Sequence, residues 1–272
     1  MISLVLSLGP TAGVHAYIET RSSDPYVGAI AVDAYSGKVL FEDEADRVTY
    51  PASVVKLMTF LVVLEHVEAG LVRLDDRVTV TAEAARMGGS QVYLKQGEVF
   101  PVEDLLYALM IQSANDAALA LAVHVAGSRA GFVELMNARA TELGMTHTRF
   151  ASPHGLPPSR GQQPDLSTAR DIAILAREVV EYPEVLEYTS TRVRGFRDGK
   201  FVMRSHNRLL EDVAGCDGLK TGYFSRAGFS VAATATRDGR RVIAVVLGSK
   251  ASRVRDAKAA QFLELAFRLI AT

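Results

Sequence analysis

Apolar residues recur at two different periods along this chain, and the order of those periods limits its fold more than any other feature. Residues 26–34 (YVGAIAVDA) are a β-rich run, Tyr35-Ser36-Gly37-Lys38 reads as a turn, and residues 39–42 return as a second strand. The middle reads at helical spacing. Residues 53–69 are apolar nearly all round, the mark of a buried helix, and Gly70 closes it. Residues 102–110 and 116–126 predict two more apolar helices. Residues 131–143 predict a helix closed by Gly144, and residues 167–180 one capped by Ser167. Strand signals then resume. Residues 191–205 alternate around Asp198-Gly199, and residues 229–236 and 241–248 flank Asp238-Gly239, before an amphipathic helix over 252–270. Strands at both ends with helices between them predict an α/β chain of the α+β type. One mainly antiparallel sheet is assembled from both ends and flanked by helices, with an inserted all-helical lobe over roughly residues 70–180.

Composition narrows the partners. A formal net charge of -1 gives no basic surface for nucleic acid, and 49% hydrophobic with 22% charged residues is ordinary for a globular protein. With one cysteine, Cys216, no intrachain disulfide can form, which leaves the redox compartment open. Residues 1–20 open on a short apolar run, 2–8, too short to span a bilayer, and Val14-His15-Ala16 is a small-residue cleavage site. The positive n-region of a signal peptide is missing. The expectation is an export signal or apolar leader, with residues 21–272 forming a single domain.

One stretch of the first buried helix does more than pack. PASVVKLMTF, residues 51–60, carries a hydroxyl and an amine at Ser53 and Lys56. Positions i and i+3 share a helix face, and Pro51 suits a first turn, so the two side chains can touch. Burial among apolar neighbours lowers an ammonium pKa, and a neutral Lys56 could then take the Ser53 proton. The backbone N–H of Ser53 lies where a helix start can stabilise an oxyanion. Alone, the spacing is weak. With 18 serines and 7 lysines it arises by chance about half a time per chain, and a capping serine beside a snorkelling lysine would read the same.

Two further motifs change that balance. Ser113-Ala114-Asn115 interrupts an apolar stretch between two helices. Lys220-Thr221-Gly222 precedes a strand starting near Ala227, and K-[ST]-G arises by chance in about one chain in fifteen of this make-up. Ser205-His206-Asn207 is a second S-x-N match, but it follows a strand and lies close to Lys220; Ser113 is preferred.

S-x-x-K, S-x-N and K-T-G in this order resemble the motif set of penicillin-binding proteins and class A β-lactamases. The chain resembles a low-molecular-mass penicillin-binding protein of the D-alanyl-D-alanine carboxypeptidase family. The likeness extends through GGSQVYLKQGE at 88–98, IQSANDAALALA at 111–122, GFVELMNARATELGMTHTRFASPHGL at 131–156, DLSTARDIAILA at 165–176, HNRLL at 206–210 and GLKTGYFSRAGFSVAATA at 218–235. It implies a serine β-lactamase-like fold, with residues 21–272 as one transpeptidase-like catalytic domain and the site in a cleft between lobes. Ser53 would be the acylated nucleophile, Lys56 its general base and Ser113 a proton relay to the leaving amine. Asn115 would hold the substrate peptide, Lys220 and Thr221 its terminal carboxylate, and Gly222 completes the third motif. The Tyr223 N–H would be a second oxyanion donor beside that of Ser53. No cofactor or metal is implied, and there is no H-E-x-x-H; the implied partners are peptidoglycan stem peptides, with β-lactams as inhibitors, in the periplasm or otherwise outside the cytoplasm.

Departures from the family pattern are specific. Tyr223 and Phe224 stand where carboxypeptidases often have histidine first, giving a bulkier cleft edge. Lys250 stands near the place of an arginine after the last strand that helps hold the carboxylate, without that residue's bidentate fork. His206 and Asn207 either line the cleft or are structural, and Cys216 reads as a structural thiol. The chain stops soon after the catalytic region, so the C-terminal β-domain and amphipathic anchor of many relatives are expected to be absent. A serine-type D-Ala-D-Ala carboxypeptidase is the favoured reading. A D,D-endopeptidase, a class A-like β-lactamase and a non-catalytic penicillin-binding sensor are the alternatives. The β-lactamase needs E-x-x-L-N, and Glu134-Leu135-Met136-Asn137 has the wrong spacing and sits in an expected helix.

Overall fold

The computed structural model describes residues 25–271, so the expected export segment lies outside the described residues. The chain opens with the hairpin β1 (Gly28–Asp33) and β2 (Val39–Asp43), then a 3-10 turn (Ala52–Val55) runs into α1 (Lys56–Glu68). A small ribbon of β3 (Arg77–Thr79) and β4 (Val99–Pro101) encloses α2 (Ala82–Ala85). The helices α3 (Val102–Ile111), α4 (Asn115–Ala126), α5 (Arg129–Glu142), α6 (Ala169–Val180) and α7 (Val185–Ser190) follow. The hairpin β5 (Val193–Phe196) and β6 (Phe201–Arg204) and the short α8 (Leu209–Asp212) lead to β7 (Cys216–Phe224), β8 (Gly228–Arg237), β9 (Arg240–Ser249) and α9 (Ser252–Ala271).

The main sheet runs β2-β1-β9-β8-β7, antiparallel throughout, so strands from the two ends of the chain meet at β1 and β9. Its apolar runs are continuous because both faces are covered. Ile30, Val32, Ile243, Val245 and Leu247 face the core shared with α1 and α6, whereas Ala29, Ala31, Val242, Ala244 and Val246 face α9 with Phe262 and Leu263. Each such aliphatic side chain contributes about 1.5–3 kcal/mol on full burial, small Ala residues less. Turn chemistry sets the hairpins. Asp238 and Gly239 both take positive φ, 49° and 72°, as a two-residue turn matching strand twist demands.

α6 packs on β1 and β9 and is part of the cover of the sheet. One expectation is corrected. The cap of α6 is Thr168, whose hydroxyl accepts from the Asp171 N–H at 3.1 Å; the neighbouring Ser167 hydroxyl is engaged by Thr148. Lys220-Thr221-Gly222 precedes a strand as expected, β8 from Gly228, and itself lies within another, β7. Two glycines and a lysine weaken the strand signal there, and β7 is a sheet edge, where strand propensity counts least.

Candidate active site

The chain enters α1 through a 3-10 turn, where residues three apart eclipse one another. That tightening brings Ser53 Oγ within 3.0 Å of Lys56 Nζ. The amine is fully buried, and two further acceptors converge on it: Asn115 Oδ1 at 2.7 Å and the His154 carbonyl at 2.6 Å. Neither can donate to the amine, so each takes one N–H. With Ser53 Oγ the three acceptors suit an ammonium; once the amine is neutral, with two hydrogens and one lone pair, the lone pair is what remains for the Ser53 hydroxyl. Burial holds Lys56 well below the usual lysine range, and the Lys220 charge pushes the same way; Asp165 and Asp116 oppose them.

The S-x-N residues arrive from the junction of α3 and α4. Ser113 takes φ +59°, which breaks the helix and turns its hydroxyl toward the cleft that Ser53 lines, where the buried Oγ has no hydrogen-bond partner. Asn115 is buried, with Nδ2 donating to Gly88 O at 2.8 Å, so its side chain braces Lys56 as well as lining the cleft. Asp116 anchors the 88–98 stretch: its carboxylate accepts from the N–H groups of Val92 at 3.2 Å and Leu94 at 2.9 Å. Gly89 and Ser90 of that stretch line the cleft.

The β7 strand forms the other wall. At Gly222 a Cβ would meet Pro51 O at 2.7 Å and Ser53 N at 2.9 Å, so only glycine lets this strand lie against the turn that carries Ser53. Thr221, Gly222 and Tyr223 line the cleft, with Tyr223 half exposed and stacked on Phe229, ring centroids 4.1 Å apart. Lys220 is buried beneath this wall, its Nζ donating to Thr221 O at 3.0 Å. Burial, then the nearby Arg255 charge, pushes Lys220 down to about 7.

The cleft holds about 540 Å³. Arg255, a residue the sequence reading missed, lines it. Lys250 is exposed just beyond β9 and does not; the first turn of α9 carries the cation to the cleft at Arg255 instead. Arg255 is buried, and its Nε and Nη2 are held by Asp256 at 2.8 and 2.6 Å. The signal was R-V-R-D at 253–256, directly after the last strand. Ser205 and His206 also line the cleft, whereas Asn207 braces β7 by donating to Gly218 O at 3.2 Å. Both S-x-N matches thus reach the cleft, and only Ser113-Ala114-Asn115 is bonded to Lys56. Burial raises the Cys216 thiol to about 11, consistent with a structural role. Glu134 is an exposed residue of α5, and Asn137 is spent on bonds to Val133 and Phe150, so neither serves as a deacylating pair. Among the described residues no group of three or more His, Cys, Asp or Glu is arranged to hold a metal.

A family model described as D-alanyl-D-alanine carboxypeptidase matches residues 21–251. The chain is 41% identical over 251 residues to the D-alanyl-D-alanine carboxypeptidase DacC of Escherichia coli, covering 89% of this chain and 61% of that protein. It is 36% identical over 242 residues to the D-alanyl-D-alanine carboxypeptidase DacF of Bacillus subtilis, covering 88% and 61%. The chain thus spans about 61% of the length of these curated relatives. Among solved structures, penicillin-binding protein D2 of Listeria monocytogenes in its ampicillin-bound form superimposes with a TM-score of 0.81 at 34% identity, covering 89% of this chain and 97% of that one.

Proposed function

This chain belongs to the D-alanyl-D-alanine carboxypeptidase family, and on that premise we propose that it is a serine peptidase that removes the terminal D-alanine from peptidoglycan stem peptides. The observation that carries the reading is the convergence of Ser53 Oγ, Asn115 Oδ1 and the His154 carbonyl on the buried Lys56 Nζ: in the neutral amine the last two take its N–H groups and its lone pair is left for Ser53.

The chemistry follows from that pair. Lys56 takes the Ser53 proton as Oγ attacks the penultimate carbonyl carbon. The N–H groups of Ser53 and Tyr223 receive the oxyanion. Ser113 passes the proton from Lys56 to the departing amine nitrogen, the C–N bond breaks, and D-alanine leaves. Water then adds to the Ser53 ester, giving its proton to Lys56, and Oγ leaves as the hydroxyl. Thr221, Arg255 and protonated Lys220 favour a substrate ending in a carboxylate. Asn115 holds the peptide while bracing the base. Residues 21–272 act as one catalytic domain in this scheme, outside the cytoplasm where the wall lies, and β-lactams acylate Ser53 in place of the peptide.

Intact-protein mass spectrometry with ampicillin tests the nucleophile. The wild type gains one adduct and Ser53→Ala none. Release of D-alanine from a linear pentapeptide ending in D-Ala-D-Ala tests the reaction. Cleavage of cross-linked dimers alone would replace this reading with the endopeptidase, and an adduct without any peptide turnover would replace it with the sensor.

A further inference from the structure

A second cavity, of about 250 Å³, shares Leu156 with the cleft and is lined by Ser152, His154 and Asp165. Asp165 is buried, 7% exposed, and every oxygen of its carboxylate is engaged by one turn of chain. Oδ1 accepts from the N–H groups of Ala151 at 2.7 Å and Ser152 at 2.9 Å, and Oδ2 from the Ser152 hydroxyl at 2.7 Å. The same hydroxyl oxygen accepts from the Gly155 N–H at 2.9 Å. The far side of this turn meets α1: the Thr59 hydroxyl donates to Pro153 O at 2.7 Å, and Lys56 Nζ to His154 O at 2.6 Å. Gly155, at φ +76°, lies so close to Ala52 that a Cβ would stand 2.1 Å from its carbonyl oxygen. The turn therefore grips both ends of the segment that carries Ser53 and Lys56.

We propose that Asp165 is a positioning residue for the Ser53–Lys56 pair: its carboxylate folds residues 151–155 into the turn whose His154 carbonyl takes one N–H of the Lys56 amine. This rests on the reading of Ser53 as nucleophile. Without that carbonyl in place, the amine is free to rotate, and its lone pair no longer points at Ser53. Three donors on one carboxylate make the turn rigid, since each lost bond would strand a buried polar group.

The carboxylate also acts through space. Asp165 and Asp116 raise the proton affinity of Lys56, Lys220 lowers it, and His154, pushed down to about 3 by burial, adds no charge; His206 is likewise held down by burial. Burial raises Asp165 itself to about 6, so the carboxylate carries its charge above that pH. Neutralising it makes Lys56 easier to deprotonate, and the rising acid limb of acylation moves to lower pH.

The test is the second-order rate of acylation by a fluorescent penicillin between pH 5 and 9, with the folded fraction measured for each protein. Asp165→Asn keeps one acceptor oxygen. It is expected to slow acylation less than about tenfold at pH 8 and to shift the acid limb downward by about half a unit. Asp165→Ala and Ser152→Ala are expected to lose about 10–100-fold per folded molecule. If Asp165→Ala does not fold, Ser152→Ala and Asp165→Asn carry the same test. Wild-type rates with an unmoved limb would overturn the proposal, as would losses that only follow the unfolded fraction. An adduct surviving in Ser53→Ala would instead overturn the nucleophile reading, and the proposal with it.

Discussion

Asn115 Oδ1 accepts from Lys56 Nζ at 2.7 Å, so a residue expected to hold substrate also orients the proposed base. Its Nδ2 is anchored on Gly88 O, which ties the amide to the 88–98 stretch that roofs the cleft. The base is thereby held by three separate parts of the chain: its own helix, the α3–α4 junction and the turn at His154. A lysine side chain that would otherwise sample many rotamers is fixed before substrate arrives, the preorganisation that acid–base catalysis needs.

Ser113→Ala should separate catalysis from stability. A buried hydroxyl without a partner costs about 1–3 kcal/mol, so its removal leaves the melting temperature unchanged or raises it by a few degrees. Turnover of the linear pentapeptide should fall by about 10²–10⁴-fold if the hydroxyl protonates the leaving amine. Differential scanning calorimetry beside a D-alanine release assay checks both, and a lowered melting temperature with unchanged turnover would contradict the role.

Gly222→Ala should pry the edge strand from the turn that carries Ser53. The new methyl would meet three backbone atoms, Pro51 O, Ser53 N and Val54 N, between 2.7 and 3.0 Å away, and none can rotate aside. Overpacking of this kind costs about 1–3 kcal/mol. Acylation by ampicillin should slow by more than about tenfold, because the shift separates the two oxyanion donors. Urea unfolding and stopped-flow acylation measure the two effects.

The pH dependence of substrate capture should report Lys220. Free enzyme loses this charge as pH rises through about 7, and the carboxylate prefers the protonated form, so kcat/KM for the pentapeptide should fall on that side. Arg255 repels the ammonium, so Arg255→Gln should move this descending limb to higher pH. The same variant should raise KM by about 10–100-fold through loss of a charge-assisted contact to the carboxylate. A limb that stays put would show that another group sets it.

Arg139→Met should weaken the protein without touching the chemistry. Its guanidinium bridges Glu65 of α1 at 2.7 Å and Glu178 of α6 at 2.5 Å, with Glu142 of its own helix at 3.2 Å, and is 22% exposed. Removal leaves carboxylates crowded together, for a loss of about 1–3 kcal/mol after solvent screening. The deficit should shrink as pH falls and those carboxylates take up protons, and acylation per folded molecule should be unchanged.

What the sequence disclosed follows from locality. Ser53 and Lys56 lie one turn apart, the K-T-G triad is contiguous, and the Asp198-Gly199 and Asp238-Gly239 turns carry their own stereochemical signal, so each could be read from neighbours alone. Arg255 could not, because only the path of the chain out of β9 returns the first turn of α9 to the cleft. Asp165 and Ser152 left no periodic trace, since Asp165 bonds the Ala151 N–H and the Ser152 hydroxyl across separations of 14 and 13 residues. Ser167 and Thr168 are adjacent hydroxyls, and which one caps the helix depends on tertiary contact with Thr148.

The pairing of β1 with β9, in which Ile30 lies opposite Val245, also dictates an order of assembly. A chain leaving the ribosome exposes Ser53 and Lys56 early, but the central ladder must wait until β9 has emerged. Until then the wall bearing Lys220 has no completed sheet behind it, and the helix bearing Arg255 does not yet exist. Topology itself thus makes the proposed site one of the last parts of the sheet and its cover to be completed.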